Sequence, residues 1–339
     1  MDSVTQAALG AAVGGAVAGR RAGWRAFAWG AVVGTLPDLD SFVAFDNPVA
    51  EFTYHRSYTH ALAVQTLAAP LIAVGIRRLQ RRGETPWGTW LPAVWLVLVT
   101  HALLDAMTIY GTQLWLPFSD YPAGLGSIFI IDPLYTLPLL AGIAGALAWR
   151  RDWCRARRWN LAGLAVATLY LAWTVGAQQW VEGRAAAAIE RQGLSAQRML
   201  ATPTAFNSLL WRIVAVGEEH YWEGFHAVGS DRPIRFRVHD TSPALLSGID
   251  DSWAVERLRY FTKGFYSVTR GADGAIVLTD LRMGQSGYYA FAFEVGQRRD
   301  GHSVDRAVRR HEYPRPDIGV VVDDLFACGR GRSTEVMAC

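Results

Sequence analysis

The sequence predicts an α-helical membrane bundle of about six spans followed by a water-soluble α+β domain. Three observations predict it. Hydrophobic residues make up 51% of the 339-residue chain and charged residues only 19%, too few charges for a wholly soluble protein. The apolar content is concentrated before about residue 182 in Ala-, Leu-, Trp- and Gly-rich stretches, and charges, Gly turns and short alternating runs take over after it. The expected division is therefore a membrane-embedded part, 1–182, and a soluble part, 183–339.

A bilayer crossing needs about 17 to 25 predominantly apolar residues. Six stretches approach this: Val4 to Gly19, Ala26 to Phe45, Thr59 to Ile76, Trp90 to Tyr110, Ile128 to Trp149 and Leu161 to Val181. The first is short, and Pro37 interrupts the second. Gly10, Gly14, Gly15 and Gly19 leave one side of the first helix nearly bare, which permits close packing of the small-xxx-small kind. The acidic start, MDSV, lacks the positive region of a cleavable signal peptide, so a retained membrane segment is expected.

Orientation follows from arginine. Arg20, Arg21 and Arg25, the run IRRLQRR and the run RRDWCRARR occupy alternate loops. The positive-inside rule makes that side cytoplasmic, and a multi-pass protein of the bacterial inner membrane with an extracytoplasmic C-terminal domain results. Trp29, Trp87, Trp90, Trp149, Trp159 and Trp180 fall near span ends, where interfacial aromatics belong.

After a short helical pattern (GRAAAAIERQGLSAQRML), the runs WRIVAV, IRFRVH, RLRYFTKGFYSV, AIVLTDLRM and YYAFAFEV read as strands, with Ala272-Asp273-Gly274 as a hairpin turn and an irregular tail after Arg298. A net charge of +3, spread through loops as arginine with Lys263 the single lysine, gives no basic patch, so nucleic acid is not an expected partner. Cys154, Cys328 and Cys339 have no CxxC spacing; if exported, the last two are close enough in sequence to pair while Cys154 stays reduced.

Ionisable groups in or beside membrane spans are costly and point to function. Asp38 and Asp40 in TLPDLDS, His55 and His60 in YHRSYTH, His101 and Asp105 in THALLDA, and Asp132 in IIDP all map to the outer ends of the predicted spans. His101 and Asp105, four residues apart, project from one helical face. Asp38 and Asp40 follow a helix break, where their spacing can aim one carboxylate at a metal and the other at a ligand histidine. Histidines and carboxylates without thiols suit zinc, manganese or iron. Taken singly, each residue has an ordinary structural role open to it, such as a helix cap for Asp132 or an interfacial anchor for Arg56. His220, His226, His239, His302 and His311 lack ligand spacing and read as soluble-domain residues.

The segments MDSVTQAALGAAVGGAV, GTLPDLDSF, HRSYTHAL, THALLDAMTIYGTQLWLPFS and GSIFIIDPLYTLPLL, in order over residues 1 to 150, resemble the YdjM-like family of inner-membrane metal-dependent hydrolases. The order PDxD, HRxxTH, HxxxD is also similar to the metal-binding order of the zinc-dependent phospholipase C and single-strand nuclease fold. The resemblance implies Asp40, His60, His101 and Asp105 as direct ligands, with Asp38 and His55 as further ligands or their supports. This chain has Gln6 where many members have a histidine, which argues against a full second or third metal site.

The expected chemistry is attack of metal-activated water on a phosphoester-type or lipid-linked substrate at the outer membrane face, with Asp38 as general base and Arg56 holding an anionic group. The rival reading is a non-enzymatic cluster that handles ions or protons. It needs polar groups through the full membrane depth, whereas AVQTLAAPLIAVGI, LPAVWLVLV and PLLAGIAGALAW offer little beyond Gln65 and Thr66. The topology is tested by reporter fusions: a reporter active only after export is expected to work when fused after residue 185, and activity of a cytoplasm-only reporter there would overturn the scheme.

Overall fold

The structure is a computed structural model and describes the chain except residues 81–84, 272, 300, 315–316 and 335–336. The chain divides into two compact units. The first comprises Met1–Val43, His55–Thr174 and Ala205–Asn207, and the second Ala44–Tyr54, Val175–Thr204 and Ser208–Cys339.

The helices of the first half are α1 (Ser3–Ala22), α2 (Trp24–Thr35), α3 (Pro48–Tyr54), α4 (Leu62–Leu79), α5 (Trp87–Met107), α6 (Pro133–Ala148) and α7 (Trp153–Arg191). Asp2 caps α1 by accepting from the Val4 and Thr5 amides, and Gly23, at φ 58°, turns the chain directly into α2. Pro37 cannot donate the next helical hydrogen bond, so α2 stops and the chain tightens into a 3-10 turn, Pro37–Phe42. Asp132 caps α6 through the Leu134 amide at 3.0 Å, with Pro133 at the first helical position, and accepts from the Tyr170 hydroxyl at 2.8 Å.

Six spans were expected, and three helices are long and apolar enough to cross a membrane: α4 with 18 residues, α5 with 21 and α7 with 39. The break at Pro37 leaves α2 with 12 residues, α6 has 16, and in α1 glycine and polar residues dilute the apolar content. At 1.5 Å per residue, α7 is about 58 Å long, enough to cross a bilayer and extend well beyond it. Of the run IRRLQRR, Arg81 and Arg82 lie outside the described residues.

α1 and α2 pack backbone to backbone. A Cβ on Gly14 would stand 2.6 Å from the Ala26 carbonyl oxygen, and one on Gly34 would stand 2.7 Å from that of Gln6. Gly10 and Gly30 face each other in the same way. The glycine stripe of α1 thus meets glycines of α2, and Trp90, Val94, Val97 and Leu98 of α5 pack with Ala26 and Val33 of α2 and Ala69, Ala73 and Ile76 of α4.

The second unit contains β1 (Arg198–Pro203), β2 (Leu210–Val216), β3 (His220–Ala227), β4 (Arg237–Asp240), β5 (Tyr266–Arg270), β6 (Ala275–Asp280), β7 (Gly284–Gln285), β8 (Tyr288–Tyr289), β9 (Ala292–Arg299) and β10 (His302–Arg310), with α8 (Trp253–Phe261) and α9 (Ile318–Gly329). One antiparallel sheet runs β1-β2-β3-β4, a second β10-β9-β6-β5, and β7-β8 form a small ribbon. β2 and β6 are buried along their whole length.

Several expected elements differ. RLRYFTKGFYSV divides into the end of α8 and the start of β5, because Lys263 and Gly264 adopt positive φ between them. The helical pattern at 183–200 is the end of α7 followed by β1. The tail is ordered as β10 and α9; β10 carries many charges on an edge strand and shows little apolar alternation. Of the expected hairpin turn, Ala272 lies outside the described residues, and Gly274 adopts φ 81°. Cys328 and Cys339 form a disulfide, with Cα atoms 5.4 Å apart, and Cys154 is free.

The glycine contacts make a direct prediction. Gly14→Ala forces α1 and α2 apart and is expected to cost about 1–3 kcal/mol, read as a lower melting temperature of the detergent-purified protein. An unchanged melting temperature would mean that the helices do not approach this closely.

Candidate metal centre

Four side chains converge in the first unit. Asp38 comes from the 3-10 turn after α2, His60 from the short 3-10 turn Tyr58–His60 before α4, and His101 and Asp105 from the last two turns of α5. One ligand atom from each lies within 4.8 Å of all the others. His60 Nε2 is 3.1 Å from both His101 Nε2 and Asp105 Oδ2. His101 Nε2 is 3.6 Å from Asp105 Oδ2, and Asp38 Oδ1 is 3.6 Å from both Nε2 atoms. Donors about 2.0–2.1 Å from a tetrahedral zinc stand about 3.3–3.4 Å apart. The observed edges bracket that value.

The hydrogen bonds behind the rings fix where their protons lie. His101 Nδ1 is 2.7 Å from the Gly34 carbonyl oxygen, which only accepts, so Nδ1 carries the hydrogen. His60 Nδ1 is 2.9 Å from Thr59 Oγ1. The Thr59 hydroxyl donates its one hydrogen to Asp40 Oδ2 at 2.9 Å, so Thr59 accepts from His60 Nδ1. In the tautomers that these bonds select, the two Nε2 atoms turn lone pairs toward one another at 3.1 Å, beside two carboxylates. Lone pairs so placed repel unless a cation lies among them. Asp38 Oδ2 is buried without a hydrogen-bond partner, a further acceptor facing no donor. The donor set and its geometry fit a divalent metal.

Charge at the site points the same way. Burial disfavours the charged form of His60, but Asp105 and Asp38 more than offset it and raise the imidazole pKa above its ordinary value. Burial likewise pushes the Asp38 carboxyl up, and His101 and His60 outweigh it and hold it below the usual carboxylate range.

Asp105, fully buried, is held by several groups besides His60. Its Oδ1 accepts from the Met1 amine and, at 3.0 Å, from Gln6 Nε2; its Oδ2 lies 3.3 Å from Arg56 Nε. Arg56 Nη1 donates to Thr108 Oγ1 at 3.3 Å, and the guanidinium stacks over Tyr110. Arg56 adopts φ 60°, a left-handed conformation that its buried setting imposes, and its amide donates to Asp40 Oδ2 at 2.8 Å.

The seven residues singled out in the sequence thus separate. Asp38, His60, His101 and Asp105 come together. Asp40, expected among the ligands, lies behind His60: its Oδ2 is 3.6 Å from His60 Nδ1, on the side of the ring away from the cluster. The two carboxylates of PDLD do divide between metal side and histidine side, with Asp38 rather than Asp40 at the cluster. His55, also expected as a ligand, pairs through Nδ1 with Asp40 Oδ1 at 2.9 Å. Asp132 serves as the cap of α6. Sequence reasoning missed Thr59 and the Gly34 carbonyl; a threonine immediately before a ligand histidine was the only available signal for the former, and a backbone carbonyl leaves none.

The profile of the YdjM inner membrane protein family matches residues 1–181, more than half of the chain, and the chain belongs to that family. It is also similar to the Bacillus subtilis protein described as uncharacterized protein YfhP, at 29% identity over 124 residues, 35% of this chain and 37% of YfhP. The match therefore spans little more than a third of that relative. No solved structure matches the chain.

Groups that orient metal-binding histidines typically contribute about 10–100-fold in metal affinity. Asp40→Ala and Thr59→Val are expected to lose about that much in a competition titration with a chromophoric chelator. Wild-type affinity in both would show that the chain behind His60 does not set its orientation.

Proposed function

We propose that this chain is a membrane-bound metal-dependent hydrolase whose catalytic centre lies at the outer membrane face and acts on a phosphoester-type or lipid-linked substrate. The observation that carries it is the convergence of the His60 and His101 Nε2 atoms, 3.1 Å apart, with the carboxylates of Asp105 and Asp38. Zinc is the preferred metal, since two imidazoles and a carboxylate with an open position are its catalytic arrangement. A divalent metal held there supplies a water that loses its proton near neutrality and polarises the electrophile.

The protein residues then have distinct tasks. His60, His101 and Asp105 hold the metal. Asp38 is the most exposed of the four, at 17%, and its unpartnered Oδ2 is available to take a proton as general base. Arg56, fixed 3.3 Å from Asp105, keeps that carboxylate in place and adds positive potential for an anionic substrate group. Location favours an amphiphilic substrate: His60 lies two residues before α4, and Asp105 two residues before the end of α5, which puts the cluster at the ends of two spans. Arg77 and Arg78 in the last turn of α4 favour the cytoplasmic side for that end and the opposite face for the cluster, and the Cys328–Cys339 disulfide suits an oxidising compartment for the C-terminal domain.

Protein purified in detergent without chelator is expected to contain about one equivalent of divalent metal, and His101→Ala almost none, by elemental analysis. Asp38→Asn is expected to keep the metal and lose about 10²–10⁴-fold in hydrolysis of a chromogenic phosphodiester. Loss of metal in Asp38→Asn would make Asp38 a ligand, and wild-type protein that neither holds nor takes up metal would end the hydrolase reading. Because a proton on His60 competes with the metal, apparent affinity is expected to fall with decreasing pH, by about tenfold per pH unit below the folded-state pKa. A pH-independent affinity would exclude His60 as a ligand.

A further inference from the structure

The segment between the two halves of the metal centre is not folded with the metal centre. The chain carries Asp38 and Asp40 in the first unit, leaves it after Val43, contributes residues 44–54 to the second unit, and re-enters the first at His55, followed by Arg56 and His60. Within the second unit this excursion is firmly built in. Asn47 Oδ1 accepts from the Val49 amide at 2.8 Å at the start of α3. Val49, Phe52 and Thr53 are buried. The Phe52 ring stacks on Phe291 at 4.3 Å and meets Phe261 edge-on at 5.0 Å and Phe293 at 5.4 Å. Arg257 donates to the Thr53 carbonyl at 3.4 Å and lies over the Tyr54 ring at 5.0 Å.

These partners come from separate parts of the second unit: Phe261 ends α8, Phe293 lies in β9 and Phe291 just precedes it. Two residues beyond Tyr54, Arg56 is in its left-handed conformation with its amide on Asp40. Both strands of chain that reach the metal centre on this side therefore emerge from one short helix anchored in an aromatic core. A free loop at 44–54 would leave Asp38 and Asp40 on one arm, and His55, Arg56 and His60 on the other, to be brought together against loop entropy. A folded α3 removes that cost before any metal arrives.

We propose that α3, folded into the second unit, acts as a clamp that joins the two loops of the metal centre through the chain, and that Phe52 is its positioning residue. Phe52 touches neither metal nor substrate; it holds α3, and α3 fixes the two loops that present Asp38 and His60. A function for the C-terminal domain follows: metal binding at the membrane site requires that domain to be folded around α3, and anything that loosens the aromatic core weakens the site. This inference rests on the metal-site reading.

The test uses the full-length protein in detergent with Co²⁺ as the probe, measuring affinity by competition and geometry by the cobalt absorption bands. Phe52→Ala is expected to lower cobalt affinity by about tenfold or more and to alter the bands, as removal of orienting groups does, while Phe52→Leu, which keeps most of the apolar contact, restores both. A second variant, with Gly-Ser-Gly-Ser inserted between Val43 and Ala44, leaves α3 and its aromatic contacts, that of Tyr54 with Phe45 included, intact but slackens the arm to Asp38; it too is expected to lose affinity, an effect that a purely structural role of Phe52 would not produce. Should Phe52→Ala fail to accumulate, the insertion decides. Wild-type affinity and bands in the insertion variant would overturn the clamp while leaving the metal site standing, whereas failure of the wild-type protein to bind cobalt would remove the metal site itself.

Discussion

Asp105 is a fully buried carboxylate in the last turn of a helix long and apolar enough to cross a membrane, and the first unit is arranged around the need to balance its charge. An isolated carboxylate in such surroundings is strongly disfavoured, so it must find cations or donors. Arg56, the Met1 amine, Gln6 and His60 all meet it, and they arrive from four different places in the sequence. The site is therefore a point of convergence enforced by electrostatics, and a metal ion held there would complete a neutralisation that the protein has already begun.

The close packing of α1 and α2 serves the same point. Gly34 approaches the Gln6 carbonyl at a distance no side chain would permit, and these two residues hold opposite sides of the α5 site residues. Gln6 donates to Asp105, and the Gly34 carbonyl accepts from His101 Nδ1. The small-residue stripe, which read as a packing device, is thus also what brings a backbone acceptor to a histidine and determines which ring nitrogen is left for the metal. On the other side, Asp40 and Thr59 do the same for His60 through side chains. Two unrelated kinds of support produce the same outcome, an Nε2 lone pair directed into the cluster.

The membrane part and the sheet part are linked through more than the C-terminal end of the bundle. α7 is shared between the two units, and α3 is a second link, inserted between PDLD and HRSYTH. Proteins often place functional residues on loops positioned by a rigid scaffold. Here the two loops are joined by an element that packs in an aromatic core assembled from residues more than two hundred positions later in the chain.

The sequence by itself determined the residue types and the class of site. Charged and polar residues at the ends of apolar stretches can only be there for a reason that outweighs their desolvation, and Asp38, His60, His101 and Asp105 were legible on that ground. The helix break at Pro37 and the glycine stripe of α1 were legible too, because proline and glycine act locally. What only the tertiary structure decided is which carboxylate of PDLD joins the His60, His101 and Asp105 cluster. Asp38 and Asp40 have the same chemistry two residues apart, and the choice depends on the direction of a 3-10 turn and on the Arg56 and Thr59 donors that capture Asp40. The same holds for the span count, where the helix expected from Ile128 begins only after Asp132 and has 16 residues, and for the attachment of α3. A short amphipathic segment carries no mark of which core it will join, since burial against Phe261, Phe291 and Phe293 is a long-range contact that no local pattern encodes.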